Sequence, residues 1–553
     1  MSETQTADAS ELAGNPTGAA LSRGERVAVW LTPSLGDALF ICVFAFGLFG
    51  MQGQILGVDG DAGWNIALGT LTLRDGLPRY EPFLSTMLGQ PSVQWEWLTQ
   101  VVYALGYRLG GLNGVVAIAS LLMALAIRGL YGALRRRGMT ALGAAALALV
   151  GGAIVMLSWT ARAQLFSLVF TLWWSEWLWR YWQDGARWRL WFFPLATALW
   201  ANFHAGFLGG FALLGAALAL AVILPPGMRR ARPGEMALTL VGCVIATLLT
   251  PWGFGYWGHL IAFTRNPLIP QLTTEYQSPD FHLGLERLFL ALVFALVAVW
   301  LLVAWRAKGR GVSALGLTLC ALWTALAFIY VRFVPLWPLV CLPYLAQALV
   351  ALRGADLTPD PSPQRRGVDG WRAWVMAGLR VGAGKLAALA RRVDAVDGML
   401  RGVVWSVVAV ALGLALVANG GALPGQARPM VNARWDATRL PVAAVSILRQ
   451  EGLPPGRGFN PYEWGGYLDL ALPGYHVFID SRSDVYSSQF LANYLTIVDV
   501  QPGWSRLLSQ YHIAWALLQA NAPLRQALTL SGWRCRPIGA DGVAALCVRP
   551  PGG

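Results

Sequence analysis

The sequence predicts a polytopic α-helical membrane protein with about eleven transmembrane helices, followed by a small soluble α/β domain. Of its 553 residues, 56% are hydrophobic and 13% are charged, and a soluble protein of this length carries far more charge. Several apolar segments approach the ~20 residues that a helix needs to cross a bilayer. After the last of these segments, residues 420–553 form a region of ordinary domain size.

Eleven segments are predicted to span the membrane, ten of them in a core at 37–352 and one beyond it. They lie at 37–56, 112–134, 140–158, 165–182, 190–203, 206–225, 236–252, 285–305, 312–330, 333–352 and 402–419. Residues 1–36 are predicted to be a disordered cytoplasmic tail. The sequence up to residue 27 is polar and small, and no cleavable signal peptide is predicted there.

Basic residues predict the orientation of these helices. They cluster in alternate loops, at Arg135-Arg136-Arg137, at Arg180, Arg187 and Arg189, at Arg229, Arg230 and Arg232, and at Arg306, Lys308 and Arg310. Short loops rich in Arg and Lys stay in the cytoplasm, so the N-terminus is expected inside and the C-terminal domain outside. The net charge of +13 follows this topology pattern and does not predict nucleic-acid binding.

The first outer loop, residues 57–97, is the most informative segment. Asp59 and Asp61 directly follow an apolar run, and acids beside a membrane are costly unless they bind something. Asp61 is predicted to be the N-cap of a helix over 62–74, whose apolar side is expected to rest on the bilayer surface. That side consists of Trp64, Ile66, Ala67 and Leu71. Gly76 is expected to end this helix, and a second helix is predicted at Trp97–Leu109.

Charged and histidine side chains converge on the outer side in this topology. They come from five loops or helix ends and are Asp59, Asp61, Glu96, Arg162, His204, His259, Glu275 and Arg332. A purely structural distribution of these residue types need not be so one-sided. They are therefore the candidate site residues.

The remaining regions are a cytoplasmic linker and the outer domain. Residues 353–401 begin Pro- and Asp-rich, and from Trp371 become a basic amphipathic stretch that suits either a helix on anionic lipid or a solvated connector. In the domain at 420–553, we expect a strand at 475–479, a helix at 504–510, a strand at 512–519 and a hairpin at 533–548. No catalytic triad or phosphate loop is visible there.

Two cysteines flank the turn of that hairpin. If the turn centres on Asp541, Cys535 and Cys547 are directly opposed. A disulfide is then geometrically possible, but only in an oxidising compartment.

Taken together, several motifs resemble those of bacterial membrane proteins of the glycosyltransferase C superfamily. The motifs are Asp59-Gly60-Asp61, Trp64, Gly69, Pro82-Phe83-Leu84-Ser85-Thr86, Gly89, Trp95-Glu96-Trp97-Leu98, Ala161-Arg162-Ala163-Gln164-Leu165-Phe166-Ser167, Trp200-Ala201-Asn202-Phe203-His204, Thr250-Pro251-Trp252-Gly253, Arg332-Phe333-Val334-Pro335, Trp464-Gly465-Gly466-Tyr467-Leu468 and Val477-Phe478-Ile479-Asp480-Ser481-Arg482. Their order and spacing over residues 37–548 carry the resemblance. Ala163 departs from it, because relatives often have Pro there.

The resemblance implies a multi-pass protein of the bacterial inner (plasma) membrane that transfers a hexosyl or pentosyl group. The donor would be a polyprenyl-phosphate-linked sugar, and transfer would usually invert the anomeric centre. An acid of the first outer loop is the key catalytic residue in that superfamily, which points to Asp59 or Asp61. The expected partners are this donor and membrane lipids; the sequence names no protein partner.

The chemistry gives each candidate residue a role. Asp59 or Asp61 would take the proton of the acceptor hydroxyl, with Glu96 as a further catalytic acid. Arg162 and Arg332 suit the leaving phosphate, since guanidinium binds phosphate in a bidentate way, and His204 would assist either role. His259 and Glu275 are weaker candidates for acceptor binding. Asp59 and Asp61 are also candidate ligands of a divalent Mg or Mn ion; no other cofactor is expected.

Each role has a structural alternative. In this alternative, Asp61 is only a helix cap, Asp59 is a turn residue and Glu96 is an interfacial anchor. Arg162 and Arg332 then snorkel at helix ends, and His204 is a packed, hydrogen-bonded histidine. Asp480 and Arg482 are interpreted as a structural ion pair. Two other functions compete with glycosyl transfer: a lipid or polysaccharide transporter, which usually has ionisable groups within spans and internal repeats, and a non-catalytic membrane scaffold.

Overall fold

The computed structural model describes residues 23–50, 60–306, 312–355, 388–400, 402–426 and 428–550. Most of these residues are helical. The helices before the outer domain are Arg23–Leu31, Leu35–Phe49, Asp61–Asp75, Trp97–Gly110, Leu112–Arg136, Ala141–Val155, Gln164–Asp184, Phe192–Phe203, Phe207–Ile223, Pro233–Ala246, Phe254–Thr264, Ile269–Leu272, Gly284–Arg306, Ala314–Ile329, Trp337–Ala355, Ala388–Met399 and Val403–Ala418. A helix lies at each of the eleven segments that were expected to span the membrane.

Length and apolar composition qualify fewer of these helices as spans. Four are long and apolar enough to cross a membrane, at Val27–Phe49, Leu112–Arg136, Ala141–Ser158 and Gly284–Arg306. The number rises to six if two bent pairs each count as one span; Pro233–Leu249 and Phe254–Thr264 meet at 100°. The mostly helical fold is confirmed, and the number eleven stays a prediction.

The N-terminal boundary of the core is earlier than expected. A helix over Arg23–Leu31 lies in the segment that was predicted to be a disordered tail, so that prediction is wrong from residue 23 onwards. The next helix begins at Leu35, where Ser34 and Asp37 form a reciprocal capping box. Asp37 is buried and pairs with Arg128 at 3.1 Å, which fixes this helix against Leu112–Arg136.

Most of the basic linker stretch lies outside the described residues. Its final part forms the helix Ala388–Met399. Asp394 accepts a hydrogen bond from Arg135, and Asp397 accepts one of 2.8 Å from the Tyr131 hydroxyl. This helix therefore packs against the end of Leu112–Arg136 that carries Arg135.

The first-loop helix, Asp61–Asp75, is present and ends at Gly76 with φ 87°. Two predicted details are wrong. Gly60 is the N-cap and Asp61 the first helical residue, and residues 61–69 are all buried within the protein rather than lying on the bilayer. The cause is the outer domain, whose helix Tyr462–Ala471 packs on this face. The second predicted helix is confirmed at Trp97–Gly110.

The C-terminal domain, which we call the outer domain after its predicted side, is a small α/β unit with a four-stranded sheet. Its strands are β1 (Arg457–Phe459), β2 (Ile513–Gln519), β3 (Arg534–Ile538) and β4 (Ala544–Val548), in the order β1-β2-β4-β3. β1 is parallel to β2 and the other pairs are antiparallel. Its helices are Val442–Glu451, Tyr462–Ala471, Ser488–Val498, Trp504–Gln510 and Pro523–Leu530.

The predicted helix at 504–510, the strand at 512–519 and the hairpin are confirmed. Cys535 and Cys547 are opposed across β3 and β4 and form a disulfide. The strand predicted at 475–479 is wrong: only Val477 bridges, and it does so to Leu84 in the first outer loop. The segment 475–479 therefore pairs with the first outer loop and not with the sheet of its own domain.

Candidate active site

Asp61 is held on both carboxylate oxygens. Oδ2 lies 2.8 Å from Nε of Arg162. Oδ1 accepts a hydrogen bond from the Ser481 hydroxyl and one of 3.3 Å from the Trp64 indole N–H. Asp61 is buried, so the guanidinium provides the counter-charge that a buried carboxylate requires.

Glycines allow the outer domain to approach Asp61. A Cβ on Gly63 would overlap the carbonyl oxygen of Gly466, and a Cβ on Gly466 would overlap that of Gly60. The first-loop helix and the helix Tyr462–Ala471 therefore cross backbone to backbone. This close crossing brings Ser481, from a segment 420 positions further along the chain, onto the carboxylate of Asp61.

Arg162 bridges two acids. Besides Asp61, its guanidinium Nη1 donates to Glu275, whose other oxygen accepts a 2.6 Å hydrogen bond from the Gln164 amide. Arg162 therefore does not snorkel into solvent as an isolated cation. It positions Asp61 against Glu275, which was expected only to bind acceptor.

Glu96 and His204 meet at the start of the helix Trp97–Gly110. Nδ1 of His204 accepts a 3.1 Å hydrogen bond from the Gly206 N–H and lies 2.7 Å from the Ser167 hydroxyl. Because Nδ1 accepts from the Gly206 N–H, it carries no proton. The Ser167 hydroxyl, which accepts from Trp200, therefore donates to Nδ1, and we assign the ring proton to Nε2. Nε2 lies 3.6 Å from Oε1 of Glu96.

Burial favours the neutral form of both groups. Burial raises the pKa of the Glu96 carboxyl well above its ordinary value, and the nearby Asp484 and Asp61 raise it further against the opposing charges of Arg332 and Arg162. Burial, assisted by the positive charge of Arg332, lowers the pKa of His204 to about 3. Their contact is therefore not an ion pair, and Glu96 is not an acid resting in water.

Arg332 is a half-buried cation with a planar support. Its guanidinium carbon lies 4.6 Å from the centre of the Tyr276 ring. Within the part of the chain that the structure describes, no carboxylate lies within ion-pair distance of Arg332. The guanidinium is thus oriented by stacking while its N–H donors are not committed to an acid.

His259 binds the outer domain. Its Nε2 lies 2.8 Å from Oδ2 of Asp484, and its ring lies edge-on to Trp95 at 5.1 Å. Asp484 in turn influences the pKa of Glu96. His259 therefore connects the wall of the site to the outer domain.

A buried charge cluster fastens the first outer loop to the same domain. Arg482 donates to both oxygens of Glu81 at 2.9 and 3.0 Å and pairs with Asp480 at 2.6 Å. Burial raises the pKa of the neighbouring Asp469 well above its ordinary value, and Asp480 raises it further. We call Glu81, Asp480 and Arg482 the loop clamp. The expected Asp480–Arg482 ion pair is present, and its partner Glu81 was not anticipated.

The described residues do not themselves form a metal site. No group of three His, Cys, Asp or Glu side chains in the described ranges is placed to hold an ion. Both oxygens of Asp61 are engaged by Arg162 and Ser481. Asp59, the other expected metal ligand and catalytic acid, lies outside the described residues.

The structure thus brings together the described candidate residues from distant parts of the sequence. Asp61, Glu96, Arg162, His204, His259, Glu275 and Arg332 are linked by direct contacts or by electrostatic influence. Sequence reasoning missed Ser481, Asp484 and Tyr276. Tyr276 is adjacent to Glu275, and Ser481 and Asp484 flank Arg482, but polar residues in a soluble domain give no signal of membrane-side chemistry.

A search of solved structures finds related folds. The archaeal oligosaccharyltransferase AglB from Archaeoglobus fulgidus, in complex with an inhibitory peptide and a dolichol-phosphate, matches with a TM-score of 0.53 and 12% identity over 88% of this chain and 69% of that chain. Two further structures of the oligosaccharyltransferase from that organism, one tethered with an acceptor peptide and one in complex with Zn and sulfate, have TM-scores of 0.47 and 0.43 at 12% identity. Each of these two matches covers 88% of this chain and 68% of the archaeal chain.

No protein-family model and no curated protein matches the sequence. At 12% identity, the structural likeness concerns the fold. The resemblance that the motifs carry is confirmed at that level: the chain shares the fold of an archaeal oligosaccharyltransferase.

Proposed function

We propose that the protein is a membrane glycosyltransferase. It moves a sugar from a polyprenyl-phosphate-linked donor to a lipid, glycan or protein acceptor at the membrane face that carries Asp61, and inverts the anomeric centre. The observation that carries this proposal is the contact of Asp61 with Arg162 beside Glu96, His204 and Arg332. It combines a base with cations for a leaving phosphate.

Asp61 is the proposed base. As the acceptor oxygen forms a bond to the anomeric carbon, its proton passes to the carboxylate of Asp61. The bond from the anomeric carbon to the phosphate oxygen breaks, and the polyprenyl phosphate leaves with the electron pair. Arg162 and Ser481 fix the direction of the carboxylate, so its remaining lone pairs are oriented before the acceptor arrives.

Arg332 is the proposed phosphate ligand. Stacking on Tyr276 orients its guanidinium, and a planar guanidinium matches two phosphate oxygens. The raised pKa of Glu96 supports the same role, because an ionised carboxylate there would repel a phosphate. A protonated Glu96 instead offers a hydrogen-bond donor.

The outer domain is proposed to complete the acceptor side of the site. Ser481 contacts Asp61 directly, and Asp484 contacts His259. The archaeal structure with a matching fold holds an inhibitory peptide and a dolichol-phosphate, which is consistent with an acceptor and a lipid-linked donor meeting in such a fold.

The membrane placement belongs to the same proposal. The disulfide Cys535–Cys547 suits an oxidising compartment, and the distribution of arginines predicts the same side for the outer domain. We place the protein in the bacterial inner membrane with Asp61 and the outer domain outside. A divalent ion bound with Asp59 stays a hypothesis, and we derive no step through it.

Comparing cell-envelope glycans by mass spectrometry tests the proposed function. A strain lacking the gene should lose one glycan or glycoconjugate. Wild-type protein should restore it, and Asp61→Asn should not, at equal membrane abundance. Full restoration by Asp61→Asn would favour the scaffold alternative, because a scaffold does not need the carboxylate.

A further inference from the structure

A pocket lies at the opposite end of the helix bundle from Asp61. The helix Leu112–Arg136 begins next to the helix Trp97–Gly110 of the site and, at 1.5 Å per residue, is about 37 Å long. Near its far end is a cavity of about 400 Å³. The cavity is lined by Arg128, Gly129, Gly132, Arg136, Leu172, Trp173, Glu176, Trp177, Arg180 and Phe192.

The acids around this pocket leave positive charge uncompensated. Glu176 pairs with both Arg136, at 2.8 Å, and the adjacent Arg137, at 2.7 Å. Arg128 pairs with Asp37. Together with Arg180, the pocket region therefore contains four guanidinium groups and two carboxylates. Two positive charges are left without a counter-charge.

Arg180 is the least compensated of these cations. No carboxylate within the described ranges lies at ion-pair distance from it, and its guanidinium carbon lies 5.6 Å from the centre of the Trp177 ring. Gly129 and Gly132 keep the wall opposite free of side chains. A Cβ on Gly132 would approach only the flexible guanidinium end of Arg136, at 3.2 Å.

The rim of the pocket is apolar and aromatic. Trp173 is 47% exposed, and Leu172 and Phe192 also line the opening. Indole rings concentrate where a membrane meets water, and basic pockets between transmembrane helices bind the head groups of anionic lipids. A free phosphate ion makes no apolar contacts with this rim, whereas the acyl chains of a lipid can pack against it.

We propose that this pocket binds the phosphate of an anionic glycerophospholipid, of the phosphatidylglycerol type, from the membrane leaflet opposite the candidate active site. Arg180 and Arg136 contact the phosphate, and the acyl chains pass out over Trp173. This inference does not depend on glycosyl transfer. A single bound lipid neutralises part of the excess charge and links the helices Leu112–Arg136 and Gln164–Asp184.

Native mass spectrometry and thermal unfolding of the full chain in lipid nanodiscs test the proposal. Wild-type protein should retain phosphatidylglycerol and unfold at a higher temperature in nanodiscs that contain it than in phosphatidylcholine alone. Arg180→Gln should lower the affinity for phosphatidylglycerol about tenfold, because it removes a charged hydrogen bond. Equal retention by this variant would overturn the proposal.

The matched control is Arg230→Gln. Arg230 is exposed and donates to the Gln183 carbonyl at 2.8 Å, so it carries the same charge at the same end of the bundle but does not line the pocket. The Arg230→Gln variant should bind phosphatidylglycerol like wild type. If it loses as much affinity as Arg180→Gln, the effect is one of diffuse charge, and the proposed lipid site is overturned.

Inorganic phosphate and a second pocket variant distinguish a lipid site from a site for free phosphate. Inorganic phosphate added to phosphatidylcholine nanodiscs should not reproduce the stabilisation; if it does, the site takes free phosphate and the lipid proposal fails. If Arg180→Gln does not fold, Gly132→Leu fills the pocket instead and should displace phosphatidylglycerol. Undiminished lipid binding by that variant would contradict the proposal.

Discussion

At the scale of single residues, two acids of the site lie in different electrostatic environments. Asp61 is paired with Arg162 at 2.8 Å, whereas burial beside Asp484 and Asp61 raises the pKa of Glu96 well above its ordinary value. The protonated form is thereby favoured at Glu96, whereas the carboxylate of Asp61 faces a guanidinium. We propose base chemistry for Asp61 and, for a protonated Glu96, a hydrogen bond to the phosphate that Arg332 binds.

Arg332 should control donor binding. Arg332→Gln removes charged hydrogen bonds to the phosphate and should raise the KM for the lipid-linked donor about tenfold or more. Arg332→Lys should restore only part of the donor affinity, because an ammonium neither stacks on Tyr276 in the same way nor binds two phosphate oxygens. Arg265→Gln, which changes an exposed arginine, is the control. An unchanged KM in Arg332→Gln would remove Arg332 from the site.

Glu96 should make stability depend on pH. Between its unfolded pKa and its raised folded pKa, the folded state holds a proton that the unfolded state has released, so stability falls as pH rises through that window. Asp469 acts in the same direction. Glu96→Gln cannot ionise, and its unfolding temperature should fall less with pH than that of wild type. Identical pH slopes would show that Glu96 is ionised in the folded protein.

At the scale of elements, the first outer loop and the outer domain form one unit. The Ser85 N–H donates to the Val477 carbonyl at 2.8 Å, and the loop clamp of Glu81, Asp480 and Arg482 is buried. The sequence predicts both helices of this loop from glycine breaks and apolar spacing. It does not predict their burial, since the covering domain begins more than 300 residues later.

The loop clamp should be essential for stability. Arg482→Gln leaves the buried carboxylates of Glu81 and Asp480 without a counter-charge, which costs about 3–5 kcal/mol. We expect a clear drop in the unfolding temperature. Arg536→Gln breaks the exposed pair with Glu451 and should change stability by less than about 1 kcal/mol. Equal effects of the two substitutions would contradict the role of the clamp.

At the scale of the whole molecule, composition and motif order predict the fold class. The features that they do not predict depend on contacts between segments that are distant in the sequence. Apolar length indicates where helices lie, but it does not reveal that Pro233–Leu249 and Phe254–Thr264 meet at 100°. Charge near the membrane identifies Asp61, Arg162 and Arg332. Ser481 joins Asp61 only through the crossing of Gly63 and Gly466, which no local pattern signals.

The most direct test of the proposed activity is transfer by purified protein in nanodiscs. Polyprenyl-phosphate sugars from the native membrane serve as donor and envelope extract as acceptor, with bound polyprenyl phosphate followed by native mass spectrometry. Asp61→Asn should still bind polyprenyl phosphate but transfer at least about 100-fold more slowly, because the base is lost. Transfer by Asp61→Asn at the wild-type rate would contradict the assignment of Asp61 as the base of a glycosyltransferase.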